Sequence, residues 1–273
     1  MAQGAELDWV PPGVDMKRAN VARVYDYWLG GTHNFLADQD AGRAIAAVEP
    51  LMRDIARTNR AFLGRAVRFL SAAGIDQFLD IGSGIPTSGN VHEIAQAVNP
   101  EARVAYVDVD PVAIAHSKAI LAGNDNAAIV DADVREPEKI LAHATVGRLI
   151  DFSKPAGLIL MVVLHFISDA EDPLRLIATL RDALAPGSYL VLGHATDDGK
   201  KPNVAQATET AYNRSVATRI HLRSRAEIGR LFDGFELVDP GLVYASRWRP
   251  GPSDDAPDVL AEYGTLVGVA RKP

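Results

Sequence analysis

Five short apolar runs, each leading into a helix-like stretch, constrain this chain more than any other feature. They are "QFLDI" from Gln77, "RVAYVDV" from Arg103, "AAIVDAD" from Ala127, "GLILMVVL" from Gly157 and "SYLVLGH" from Ser188. Helices are expected between them near 89–98, 111–122, 137–142 and 172–184. Strands alternating with helices at this spacing lie parallel, because each crossover helix carries the chain back to the end of the sheet where it began. The expected fold is α/β, with a doubly wound, mainly parallel sheet. Two later runs, "FELVDPGLVY" and "YGTLVGVARK", read as an antiparallel edge, with "SRWRPGPSDDAP" an exposed loop between them.

The residues ahead of the sheet are helical in pattern. Asn20 is placed to cap "VARVYDYWL", which Gly30 and Gly31 end. A second helix is expected from Asp38 to Val48, stopped by Pro50. From Leu51 to Ala73 apolar residues recur at three- and four-residue steps, and Gly74 closes that helix. The organisation expected is therefore a helical N-terminal extension or lid over 1–74 and one compact sheet unit over 75–273.

Composition removes several classes of function. The net charge of −7, with no lysine-rich tail, disfavours contact with nucleic-acid phosphates. Arg214, Arg219, Arg223, Arg225 and Arg230, with Glu227 among them, read as a solvated helix face. The longest apolar run, Gly157 to His165, is too short to span a bilayer, so no membrane association is expected. No signal peptide is evident, and the lack of cysteine excludes disulfides, thiolate metal sites and a cysteine nucleophile; a cytoplasmic location is expected. No H-x-x-x-H pattern points to a metal, and "GSG" does not match the hydrolase G-x-S-x-G turn.

The chemistry is expected at "FLDIGSGIPTSGN", where the first strand runs into Gly82-Ser83-Gly84. A dinucleotide site needs G-x-G-x-x-G, but Thr87 stands at the third glycine and Pro86 removes a backbone donor that a phosphate would use. No Gly-Lys-Ser/Thr follows for a P-loop. The loop suits a ligand that needs close backbone approach and carries no phosphate. Asp108 ends the second strand, where a carboxylate can accept both ribose hydroxyls. Asp133 ends the third, placed to accept from an adenine amino group while Val134 packs on the ring. An adenosine without phosphates is implied, and S-adenosylmethionine (SAM) fits.

These residues also carry a resemblance. The order of glycine loop, second-strand acid and third-strand acid resembles class I SAM-dependent methyltransferases. More narrowly, "ARVYDYWLGGTHNF", "FLDIGSGIPTSGNVHE", "YVDVDP", "LHFISD", "APGSYLVLGHAT" and "WRP" resemble an actinobacterial methyltransferase-like family once catalogued as a domain of unknown function. The resemblance implies a Rossmann-like methyltransferase fold and SAM as cofactor. Val109 replaces an expected asparagine after the ribose acid, and Gly193 an expected serine before His-Ala-Thr.

The remaining candidates follow from position. Asp80 either holds the glycine loop or faces the ligand, and Asp110 reads as a helix N-cap ahead of Pro111. Asp131 and Asp133 compete for the adenine, and the family register favours Asp133. His165 lies past the fourth strand, where the reacting end of a ligand is reached, as a general base, a cap on the sulfonium side or a packed histidine. Arg23 and Arg60 are candidates for the SAM carboxylate. Tyr25, Tyr27, Asn34 and Phe35 belong to an aromatic, glycine-interrupted stretch read as a lid over SAM and a small-molecule acceptor. Methyl transfer is mostly a matter of alignment and water exclusion, so no catalytic dyad is required. A SAM-binding protein without transfer activity is the alternative, and an NAD-dependent oxidoreductase a weaker one.

Overall fold

The computed structural model describes residues 9–87, 89–200, 202–251, 254 and 256–273. Its centre is a mainly parallel sheet flanked by helices, the doubly wound α/β arrangement expected. Strands β1 (Gln77–Ile81), β2 (Arg103–Asp108), β3 (Ala127–Asp131), β4 (Gly157–Met161) and β5 (Tyr189–Ala195) are all parallel. β6 (Glu236–Leu237), β7 (Val243–Tyr244) and β8 (Thr265–Arg271) complete the sheet, in the order β3-β2-β1-β4-β5-β8-β6, with β7 also on β8.

Side-chain alternation along each strand builds two cores. In β1, Phe78 faces one side, with Phe62, Val67 and Leu70 of helix α3 (Met52–Ala72); Leu79 and Ile81 face the other. That second face is covered by Ile140, Val146, Leu149, Leu176, Leu180 and Ile228. Central strands buried on both faces explain the continuous apolar runs.

The N-terminal helices form as expected. In α1 (Val21–Leu29) the Asn20 side chain accepts from the Ala22 N–H at 2.7 Å, and Gly30 ends the helix at φ 83°. α2 (Leu36–Val48) begins two residues earlier than the pattern suggested, because the Asp38 carboxylate caps it, accepting from the Phe35 N–H at 2.8 Å. The boundary expected at residue 74 does not coincide with a change in packing. α3 lies against the sheet core, whereas α1 and α2 join a third apolar cluster of Val24, Trp28, Ala41, Ile45, Tyr212, Val216 and Ile220. Three of those seven residues come from helix α9 (Pro202–Ser215) and the residues after it.

The two C-terminal runs form the antiparallel edge of the sheet, as expected. β8 is the inner strand of that edge, antiparallel to β5 over seven residue pairs, and β6 and β7 lie beyond it. No helix among the described residues is long and apolar enough to cross a membrane.

Candidate active site

A cavity of about 250 Å³ opens at the carboxyl ends of β1, β2 and β4, where the strand order reverses. The glycine loop forms its floor. Gly82 and Gly84 have φ of 74° and 68°, which a side-chain-bearing residue adopts only at a cost. At Gly82 a Cβ would also fall 2.5 Å from Val163 Cγ2.

The direction of the loop amides decides what the loop can hold. Gly82 and Ser83 donate their N–H groups to the Val107 carbonyl, at 2.8 and 3.2 Å, and Gly84 donates to Asp108 Oδ2 at 2.7 Å. In an anion-binding loop such amides face the ligand. Here all three are turned back into the protein, so the loop offers surface to a ligand but not a phosphate nest.

Asp108 is the anchor of this arrangement. Besides Gly84, it accepts at Oδ1 from the N–H groups of Val109 and Asp110, at 2.8 and 2.9 Å. Burial raises its pKa, and the three amides oppose that rise. Asp110 is the N-cap of helix α5 (Pro111–Ile120), as read from sequence, accepting from Val112 and Ala113.

Asp80 is held differently. It is buried beside the cavity, and among the described residues none donates a hydrogen bond to its carboxylate. Burial pushes its pKa up to about 7; Arg60 opposes the shift and Asp108 adds to it. Arg60 lines the same cavity and donates to the Gly89 carbonyl at 3.0 Å. Two further polar atoms lie buried without a partner among the described residues, Asn59 Oδ1 and Ser83 Oγ, on residues that line the cavity. An under-satisfied acid, a cation and orphaned polar atoms beside a phosphate-free nucleoside floor match the amino-acid portion of SAM. The donor set fits that group.

Asp133, Val134 and Val109 also line the cavity, while Asp131 does not and is exposed. Of the two third-strand acids Asp133 is thus the one beside the cavity, and its Oδ1 accepts from the Arg135 N–H at 2.9 Å and its Nη1 at 3.3 Å. His165 is buried in the cavity wall, and its Nδ1 accepts from the Ala195 N–H at 3.4 Å. Burial, then His194, Arg223 and His221, hold its pKa well below the usual value.

The sequence profile of the S-adenosyl methyltransferase family matches residues 8–273. The chain belongs to that family. It is a SAM-dependent methyltransferase with SAM as cofactor. The enzyme is similar to a Thermobifida fusca YX protein provisionally described as a methyltransferase, with 44% identity, TM-score 0.90, and 97% of this chain and 99% of that chain covered. It is also similar to a protein of the DUF574 family from Streptomyces avermitilis, with 38% identity, TM-score 0.89, and coverage of 95% and 99%. No curated protein matches the chain.

Several candidates of this methyltransferase lie away from the cavity. Arg23 does not reach it: the guanidinium is buried against Asp38 at 3.2 Å and donates to the Arg18 carbonyl at 2.7 Å, so it closes the N-terminal fold. Tyr27 packs on Gly42 with Arg53 over its ring, and Asn34 Nδ2 is spent on Asp26 Oδ2 and the Gly31 carbonyl. Phe35 stacks on Trp9 at 5.3 Å, behind Ile85 of the loop. Of the lid candidates Tyr25 alone lines the cavity.

Nor is the arginine run a solvated face throughout. Arg223 is buried, donating to His194 Nε2 at 2.8 Å, the Ile167 carbonyl at 2.8 Å and Asp169 at 2.7 Å. The sequence reading also passed over Tyr212, Ile220 and Leu222, which line the cavity from the segment after β5. The signal was present: Thr208, Tyr212 and Val216 recur every fourth residue. Gly193, the departure from the family's serine, lies where a Cβ would meet Met161 Sδ at 2.5 Å.

Proposed function

We propose that this enzyme methylates a small-molecule acceptor held in the same cavity, between the carboxyl ends of the strands and a roof made by α1 and α9. The observation that carries the reading is the continuity of the cavity from Asp108 and the glycine loop to Tyr25, Trp28, Phe166 and Tyr212. When bound, SAM supplies an activated methyl group on a sulfonium. Asp108 would hold the ribose, Val134 and Asp133 the adenine side, and Asp80 and Arg60 the amino-acid end.

The work left to the chain is positioning and exclusion of water. α1, the N-terminal half of α3 and α9 contribute apolar wall to the cavity, surface that favours displacing water from around a bound ligand. His165 is kept neutral, and with Nδ1 accepting from Ala195 its Nε2 carries the proton. In this state it donates a hydrogen bond and does not serve as a base at that atom. α1 supplies Tyr25 and Trp28 to one wall of the open cavity, and it is assigned the role of a lid that tightens over bound ligands. Amide exchange over 21–29 is expected to slow on SAM binding; unchanged exchange would make α1 scaffold.

The reaction itself is tested by incubating the protein with methyl-labelled SAM and mixed small-molecule extracts fractionated by size. Label transfer to a low-mass product, blocked by Asp108→Ala, is expected. Transfer only to protein or nucleic acid would overturn the small-molecule reading. SAM binding with no transfer to any fraction would favour a binding module.

A further inference from the structure

The acceptor end of the cavity is built mainly from rings. Tyr25 and Trp28 lie 6.5 Å apart between centroids, Trp28 and Tyr212 6.4 Å, Tyr212 and Phe166 6.0 Å, and Phe166 and His165 4.1 Å. These five residues come from α1, the turn after β4 and α9, and all five line the cavity. A continuous ring belt assembled from three separate elements presents edges and faces to whatever enters, which favours a planar π-system. Ile220 and Leu222 fill the intervals with apolar surface.

Aromatic belts also bind cations, and the charges around this one decide between the two. Lys200 lines the cavity, with its ammonium on Glu49 Oε2 and the Tyr263 hydroxyl, both at 2.6 Å. Asp26, the acid nearest the belt in sequence, accepts at Oδ2 from the His33 N–H and Asn34 Nδ2. Behind His165 stand His194 and the buried guanidinium of Arg223. The belt therefore has no uncommitted carboxylate among these groups, because Glu49 and Asp169 are already paired with Lys200 and Arg223. An ammonium entering there would lose hydration without gaining a free counter-ion.

Two donors remain. The Tyr212 side chain is largely buried and lines the cavity, its hydroxyl has no protein partner among the described residues, and His165 Nε2 is left protonated by the Ala195 contact. Both belong to the belt. A ligand that satisfies them carries a hydrogen-bond acceptor, such as a phenolic or carbonyl oxygen, on its ring system.

Building on the proposed small-molecule reading, we infer that the acceptor is an uncharged planar aromatic compound bearing an oxygen, with the ring against the Tyr25–Trp28–Tyr212–Phe166 belt. The test uses the full chain saturated with S-adenosylhomocysteine and titrates 2-naphthol or 2-phenylethylammonium by calorimetry. Saturable 2-naphthol binding, about tenfold or more tighter than the ammonium, is expected. Tyr212→Phe is expected to weaken 2-naphthol roughly fivefold through the lost hydroxyl, and Tyr212→Ala further through the lost ring. S-adenosylhomocysteine affinity serves as the folding control for both variants. Equal or tighter binding of the ammonium, or no 2-naphthol binding by protein that holds S-adenosylhomocysteine, overturns the inference while leaving the methyltransferase site intact. Failure to bind S-adenosylhomocysteine at all would remove the site reading on which the inference rests.

Discussion

Replacing Asp80 by Asn is expected to make the free enzyme more stable and the cofactor complex weaker. Asp80 is buried, lacks a hydrogen-bond donor among the described residues, and has a carboxyl pushed from 3.8 up to about 7 by burial, with Arg60 opposing. Well below pH 4 the carboxyl is protonated in both folded and unfolded chains. Between about pH 4 and 7 the unfolded chain releases this proton while the folded chain retains it, so this group's contribution to stability falls as pH rises through that window. Above pH 7 the loss is complete. The shift from 3.8 to about 7 corresponds to roughly 4 kcal/mol, an upper value because the neighbouring Asp108 carboxyl is coupled to it. Asparagine has no such penalty. At pH 8 the variant's Tm is expected to rise by several degrees, at about 2 °C per kcal/mol for a chain of this size, and at pH 4 the two proteins are expected to coincide. The same substitution removes the anion proposed to hold the SAM ammonium, a charge-assisted bond of about 1.5–3 kcal/mol, so SAM affinity at pH 8 is expected to fall ten- to a hundredfold. Thermal melts of the free proteins at pH 4, 6 and 8, with calorimetry at pH 8, read both effects. A variant no more stable than the parent at pH 8, or one that binds SAM equally well, would refute the reasoning.

Three other outcomes are expected. Gly84→Val is expected to fold, at a cost of about 1–2 kcal/mol for its left-handed backbone, yet lose SAM binding; Gly82→Val is expected to lose fold stability as well, because its Cβ would overlap Val163. Circular dichroism and calorimetry on both variants separate the two. Asp108→Asn cannot satisfy three amide donors as the carboxylate does, so a loss of about 2–3 kcal/mol in denaturant unfolding is expected, with weakened SAM binding. Lys200→Met leaves Glu49 buried without its cation, and a loss of about 3–5 kcal/mol is expected in the same assay unless Glu49 takes up a proton.

Much of the fold was legible because local chemistry and global packing agree. Asn20, Gly30, Asp110 and Gly74 stand where helices start or stop, and the apolar runs from Gln77 to His194 mark strands buried on both faces. The C-terminal order was not legible, because β6 and β7 are two residues each and take their place only by pairing with β8. Gly82, Gly84, Asp108 and Asp133 all line the cavity, a placement that could be read from their position at strand ends. That of Arg23 could not, since a buried ion pair with Asp38 and a ligand contact present the same arginine to the sequence. Arg223 was misread for a related reason: its partners are the carbonyls of Leu164 and Ile167 and the imidazole of His194, far off in the chain. The roof was half seen. The aromatic stretch of α1 stood out, but its cross-chain partners Tyr212 and Ile220 follow a polar loop and become visible only when α9 folds back.

The central claim is that a glycine loop with its amides turned inward holds a phosphate-free adenosine ligand at Asp108. Calorimetric titration of the full chain with SAM, S-adenosylhomocysteine and NAD, each repeated on Asp108→Ala, tests it most directly. One-to-one binding of SAM and S-adenosylhomocysteine, at least tenfold tighter than NAD and strongly weakened in the variant, is the predicted result. NAD binding as tight as SAM, or SAM binding unaffected by loss of the Asp108 carboxylate in a folded variant, would contradict it.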